Sequence, residues 1–194
     1  GSLRRSQMRE LLRVATQEIL GRRPIIAFAC RQSAVPAADT AGHGGLELPT
    51  DVLLVDVPCA GLVSYQIVLD ALELGARGVL VLGCHHDNCR SLWGSDLSRK
   101  RIDKVRQTIE AVGVEGERVQ FHTLAANEPH RLAHLLDERV VPGLVAAQHA
   151  PAQGPAADRV RHVVAAAAGD VAGQFERILA IDLLGGQPDL GHRE

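Results

Sequence analysis

Four cysteines are the residues of this chain whose number and placement could do inorganic chemistry: Cys30, Cys59, Cys84 and Cys89. Cys30 closes the apolar run that starts at Ile25, Cys59 follows the run Val52 to Val57, and Cys84 follows Gly78 to Gly83. Cys89 comes five residues after Cys84, ahead of the next helical pattern. Short, β-branched and nearly continuous apolar runs read as strands covered on both faces, the habit of a parallel sheet. In such a sheet the carboxyl ends of all strands lie along one edge, and ligands bind there. With neighbouring strands about 4.8 Å apart, three cysteines at three strand ends come within side-chain reach of a common centre. Four thiolates satisfy a tetrahedral zinc or one iron–sulfur cluster. The Cys84-x4-Cys89 spacing is looser than the two-residue knuckles usual for structural zinc, and it matches the C-x4-C element of plant-type [2Fe–2S] ligation. Four buried thiols with no metal would explain scattered cysteines, but it leaves three strand-end placements unaccounted for. A thiol–disulfide enzyme using Cys84 and Cys89 is a further reading. It needs a depressed thiol pKa, which a helix N-terminus and Arg90 could supply, but the pair lacks the tight Cys-x-x-Cys spacing.

The neighbours of these cysteines carry readings of their own. Helices beginning after Cys59 and after Cys89 would aim N-terminal N–H groups at a negatively charged centre. Arg31 and Arg90, each beside a cysteine, either add positive charge there or are ordinary exposed arginines. Gly61 and Gly83 either let backbone N–H groups approach sulfide closely or serve as turn residues. His85 and His86 could stand in for thiolates. With four cysteines in hand, they read instead as donors around the ligands or as surface residues. His130 and His134 share a helix face but lack the Glu of a His-Glu-x-x-His metalloprotease helix.

The elements that must position these groups follow from periodicity. Residues 3–20 read as an amphipathic helix with Met8, Leu11, Leu12, Ala15, Ile19 and Leu20 on one side. Arg5, Arg9 and Arg13 mark another face, either solvated or a docking surface; Gly21 and Pro24 stop the helix. Ser64 can cap a helix with Val68, Leu69 and Leu72 inward and Gly75 at its end. A longer helix covers about 95–112, using Leu97, Ile102, Val105 and Ile109. The weaker run Val119 to Leu124 suits a sheet margin. Asn127, with Pro129 just inside the start, opens a helix bearing Leu132, Leu135 and Leu136. The Ala-, Gly- and Pro-rich stretch 31–50 reads as a short or irregular crossover.

Strands alternating with helices give an α/β fold: an open, mostly parallel sheet of about four strands with helices on both faces, plus N- and C-terminal helices. The strand order 2-1-3-4 sets the first three strands side by side. Residues 1–23 form the N-terminal helical segment, with Gly1-Ser2 read as a vector scar, and 24–141 the α/β domain. Residues 142–194 hold a Pro/Gly/Ala-rich linker (142–156), a helical pair at about 157–183 and a frayed tail. A formal net charge of −2 and three per cent aromatic residues argue against a nucleic-acid footprint or a base-stacking surface. No apolar run approaches the ~18 residues of a membrane span, and no secretory leader is visible. A cytoplasmic, reducing setting follows as the expectation, in which cysteines serve as ligands rather than disulfides. Neither a Gly-x-x-x-x-Gly-Lys nor a strand-following Gly-x-Gly-x-x-Gly signals a nucleotide.

The stretch from Val57 to Arg90, VPCAGLVSYQIVLDALELGARGVLVLGCHHDNCR, resembles the iron–sulfur (delta) subunit of methyl-viologen-reducing hydrogenase. That family has a Cys-x-Gly turn, a helix ending in a Gly-Ala-x-Gly-Val strand entry, then Gly-Cys-His-x-x-x-Cys. Cys59, Gly61, Gly75, Gly78, Gly83, Cys84, His85 and Cys89 sit on those landmarks. Ile25 to Cys30 is similar to the family's first strand and Gly116 to Val119 to its approach to a later one, so the likeness covers about 24–136. It implies a [2Fe–2S] carrier with no substrate chemistry of its own, held by Cys30, Cys59, Cys84 and Cys89. Such a carrier passes electrons from a hydrogenase-like or ferredoxin-like donor, in some cases a module fused upstream, to a flavin-containing, heterodisulfide-reductase-like partner. The family's first-strand segment usually has further cysteines where this chain has Ala29 and Ser33. A zinc-stabilised interaction module and the thiol–disulfide enzyme stay as alternatives.

Overall fold

The computed structural model describes residues 5–18 and 24–137. The expected linker and helical pair of 142–194 lie outside the described residues. Four strands, β1 (Ile25–Cys30), β2 (Val52–Val57), β3 (Gly78–Gly83) and β4 (Val119–Thr123), form one sheet in the order β2-β1-β3-β4, all parallel. The helices are α1 (Arg5–Glu18), α2 (Ala34–His43), α3 (Tyr65–Glu73), α4 (Gly94–Glu110) and α5 (Pro129–Leu136). Fold class and strand order are as the sequence predicts.

Strand alternation decides which side chain goes to which layer. Ile26, Phe28 and Cys30 of β1, with Val79 and Val81 of β3, face a core shared with Met8, Leu12, Val68, Leu69, Ile102, Val105 and Ile109 from α1, α3 and α4. The intervening Ile25, Ala27, Ala29, Leu80 and Leu82 face Ala34 and Ala37 of α2 and Leu132, Leu135 and Leu136 of α5. Parallel crossovers are right-handed. The chain steps from β1 outward to β2, then back across β1 to β3, so α2 and α3 must lie on opposite faces. The direction of winding reverses between β1 and β3. That reversal is where an open α/β sheet leaves a crevice at its carboxyl edge.

Two expectations are corrected. The stretch 31–50 holds a regular helix, α2, rather than an irregular crossover. Its Ala34, Ala37 and Ala41 are buried, so small side chains that look like loop composition instead let the helix sit close to β1 and α5. Pro36 lies in its first turn, where a missing N–H breaks no helical bond. The arginine row of α1 is not a solvated face either. Arg5 forks onto the two Asp70 oxygens at 3.0 Å each, and Arg9 bridges Asp70 and Glu73, so these two side chains lock α1 onto α3. Asp70 itself is buried; Arg13 pairs locally with Glu10.

Helix ends follow the expected chemistry with shifts of a residue or two. Ser64 Oγ accepts the Ile67 N–H at 3.3 Å, and Gly75 follows α3 at φ +104°, a left-handed position that favours glycine. Ahead of α5 it is Glu128, not Asn127, that occupies the cap position, and its carboxylate accepts the Ala125 N–H at 2.6 Å. Among the described residues, no helix is long and apolar enough to cross a membrane.

Candidate metal centre

Cys30 is the last residue of β1 and Cys84 the first after β3, so both stand at the winding reversal. Their sulfurs are 3.7 Å apart and both residues are buried. Tetrahedral ligation with metal–sulfur bonds of about 2.3 Å sets ligand sulfurs about 3.8 Å from each other, so this pair suits one tetrahedral metal. Protonated, the same pair forms a thiol–thiol hydrogen bond.

Cys59 and Cys89 meet at a different point, the first residue of α4. A Cβ placed on Gly94 would collide with the Cys59 sulfur and lie 3.5 Å from that of Cys89. Gly94 is therefore the floor against which both sulfurs rest, and only glycine leaves them that space. Gly61, in the single 3-10 turn Ala60–Leu62 after Cys59, backs onto the same residue: a Cβ there would be 2.9 Å from Gly94 Cα. The two glycines let the Cys59 loop press against the start of α4. Thus Gly61 acts through backbone contact with Gly94. Gly83 likewise serves packing: a Cβ there would stand 3.0 Å from the Phe121 ring and from Ser95 Oγ. The four thiols fall into two pairs, one at the β1/β3 edge and one at the head of α4. Among the described residues, no three His, Cys, Asp or Glu side chains cluster closely enough to hold a single ion.

The electrostatics differ between the pairs. Burial pushes the Cys84 thiol up, with Cys30 adding to the effect, while the Ser33 hydroxyl and the Arg90 N–H pull the other way without reversing it. Ser33 Oγ is buried without a hydrogen-bond partner among the described residues, and it lies close enough to the Cys84 thiol to pull it down. Burial also raises the Cys89 thiol, but the N–H groups of Ser95, Ser91 and Gly94 outweigh it and draw the thiol below its ordinary value. Gly94 and Ser95 are the head of α4, whose unpaired N–H groups and dipole favour negative charge, and Ser91 belongs to the loop that leads into it. The single Ser95 hydroxyl proton goes to the Cys84 carbonyl oxygen at 2.8 Å, tying the Cys84 loop to the same helix end.

The side chains of Arg31, His85 and His86 pair with other groups, while Arg90 acts through its backbone. The Arg31 guanidinium forks onto Asp56 (3.0 and 2.8 Å), and Arg90 contributes its backbone N–H while its side chain is exposed. His85 spends both ring nitrogens, one against Thr123 Oγ1 at 3.1 Å and one against Glu128 at 2.8 Å, so it braces β4 and the start of α5. His86 pairs with Asp96 at 2.8 Å. Sequence reasoning singled out Ser33 as a departure from the family's cysteines but missed Gly94 and Ser95. Only a glycine at a helix start marked Gly94, a weak signal in a chain with 19 glycines.

A doubly covered, all-parallel four-stranded sheet with cysteines gathered along its carboxyl edge defines an open α/β protein. The family model described as methyl-viologen-reducing hydrogenase, delta subunit, matches residues 25–141, and the chain belongs to this family. It is similar to one component of the ferredoxin/F420H2-dependent CoB–CoM heterodisulfide reductase of Methanosarcina acetivorans, 32% identical over 116 residues. That match takes 60% of this chain but only 15% of the relative, so the chain spans a small part of that protein. It is also similar to the iron–sulfur subunit of the F420-non-reducing hydrogenase of Archaeoglobus profundus, 32% identical over 114 residues, 59% of this chain and 83% of the relative. The corresponding vhu iron–sulfur subunit of Methanopyrus kandleri is 32% identical, with 86% of its length matched. Helix α1 lies outside the matched span.

Proposed function

We propose that this α/β body is an electron-transfer module that carries a [2Fe–2S] cluster on Cys30, Cys59, Cys84 and Cys89. It would relay single electrons between a hydrogenase-like or ferredoxin-like donor and a flavin-containing, heterodisulfide-reductase-like partner. The observation that carries the reading is the grouping of four thiols into two pairs, Cys30 with Cys84 and Cys59 with Cys89, around one sheet edge. A binuclear centre takes two thiolates per iron, whereas a single zinc needs all four around one point. The iron–sulfur names of the hydrogenase relatives support the same reading.

When bound, the cluster supplies one reversible electron. The chain's own residues do the rest. Cys30, Cys84 and Cys89 are buried, which excludes water from the ligands. The Ser91, Gly94 and Ser95 N–H groups stabilise negative charge on the Cys89 sulfur, and the Ser33 hydroxyl and Arg90 N–H do so on Cys84. Each of these donors favours the more negative, reduced state. The thiol–disulfide alternative fits less well: Cys84 touches Cys30 rather than Cys89, and burial holds it in the unreactive thiol form.

Elemental analysis of anaerobically prepared or reconstituted protein is the test. About two irons and two sulfides per chain, with an electron-spin signal after reduction, are expected of such a centre. One zinc per chain would move the reading to the structural-metal alternative, and colourless, metal-free protein with disulfide turnover to the thiol enzyme.

A further inference from the structure

Four of the five exposed large hydrophobic side chains among the described residues lie in the segments that follow Cys59 and Cys89: Leu62 (55% exposed), Leu92 (73%), Trp93 (72%) and Leu97 (44%). The backbone brings the segments that carry them together. Leu62 follows Gly61, which lies against Gly94; Trp93 precedes Gly94; and the Leu97 N–H bonds to the Trp93 carbonyl oxygen at 2.9 Å, one helical turn on. Leu92 is also the one non-glycine residue at positive φ (+55°) among the described residues. A leucine in that conformation is strained, and here the strain presents an apolar side chain to water. An unfavourable backbone and an unfavourable exposure at one position, whose N–H bonds to the Cys89 carbonyl oxygen at 2.8 Å, mark a surface shaped for contact.

The charge around the patch says what it contacts. The chain's formal net charge is −2, yet residues 86–106 carry Arg90, Arg99, Lys100, Arg101, Lys104 and Arg106 against Asp87, Asp96 and Asp103. Lys100, Arg101 and Lys104 continue the Trp93–Leu97 line at helical spacing along α4. Arg101 is tied to the Gly61 and Val63 carbonyl oxygens and Arg99 stands 3.7 Å from Asp96, while Arg90, Lys100 and Lys104 are exposed.

We propose that Leu62, Leu92, Trp93 and Leu97, with Arg90, Lys100 and Lys104, form the docking face for an acidic redox protein. Its contact patch is apolar and ringed by carboxylates, and it meets this chain at the Cys59–Cys89 side of the centre. The inference rests on the electron-transfer reading and gives it an exit route: the sulfurs nearest this face lie directly behind Gly94. Basic residues steer the encounter, and the apolar core of the patch sets the lifetime of the complex.

Trp93 is the sole tryptophan of the chain, so metal-loaded protein labelled with 5-fluorotryptophan reports this surface through one fluorine resonance. The probe is an acidic flavodoxin, with a basic cytochrome c and phosphatidylglycerol vesicles as controls. A saturable shift with flavodoxin at low ionic strength, weakened at least tenfold by Lys100→Glu with Arg90→Glu, is expected. Leu92→Gly separates docking from folding: relief of the positive φ raises the unfolding midpoint while docking weakens several-fold. No shift with flavodoxin, an equal shift with cytochrome c or with vesicles, or a shift that follows the chain's own concentration and a dimer in sedimentation overturns the proposal. Iron content is measured on the same samples, so loss of the cluster reading registers separately from loss of docking.

Discussion

Gly94→Ala is the sharpest perturbation the geometry offers. The added methyl would collide with the Cys59 sulfur, 3.5 Å from the Cys89 sulfur and 3.3 Å from Ser91 Cβ. Neither main neighbour can yield cheaply. Cys59 is anchored between β2 and the turn that presses Gly61 on Gly94, and Cys89 is buried at the end of its loop. Overpacking of this kind costs about 1–3 kcal/mol, and the strain falls on one thiol pair while leaving Cys30 and Cys84, 3.7 Å apart, untouched. The expected outcome is a folded protein with a modestly lowered denaturation midpoint and a large loss of bound iron, or a shifted electron-spin signal in what remains. Gly42→Ala is the control: nothing lies within 4 Å of a Cβ there, and alanine for glycine in a helix stabilises by about 0.4–1 kcal/mol. Metal content and chemical unfolding of both variants decide the matter. If Gly94→Ala binds iron with the wild-type content and spectrum, Cys59 and Cys89 do not share a centre across this residue.

Asp70→Asn removes the anchor of Arg5 and Arg9 on α3; with the arginines partly exposed and screened, a loss of about 1–3 kcal/mol and faster proteolysis at α1 are expected, with iron content unchanged. The Ala125 N–H and His85 hold the Glu128 carboxyl below its ordinary 4.5. Its contribution is therefore complete above that value and lost as pH falls through the lowered one, so Glu128→Gln should flatten that part of an acid-unfolding curve. Burial, then Arg131, keep the His122 imidazole below its usual 6.5. The fold thus favours the neutral ring and loses stability as pH drops from 6.5 through the lowered value; His122→Gln should remove that slope, and an unchanged slope would refute the assignment. Ser33→Ala deletes the hydroxyl that serves Cys84, and in metal-loaded protein the midpoint potential should fall with iron content unchanged; a potential that stays put would sink that role.

The strands were legible because apolar, β-branched runs admit few alternatives, and the 2-1-3-4 order observed is the one that sets three cysteine-bearing strand ends side by side. Family resemblance was legible from Val57 to Arg90 because turns, strand entry and cysteines recur at fixed spacing. Helix α2 was hidden: a stretch of Ala, Gly and Pro gives little amphipathic signal when its buried face is only alanine against a sheet. The arginines of α1 stood open between a solvated row and a docking surface because nothing local reveals a buried carboxylate 61–65 residues away.

By itself, then, the chain's order of residues determined which segments are strands and that cysteines end them, since both follow from periodicity within a few positions. Only the tertiary structure decided how those cysteines pair. Cys30 meets Cys84 because β1 pairs directly with β3 in the sheet. Cys59 reaches Gly94, against which Cys89 also lies, because two glycines far apart in sequence let a turn and a helix end touch. Such pairings depend on long-range packing, and packing leaves no local mark on either partner.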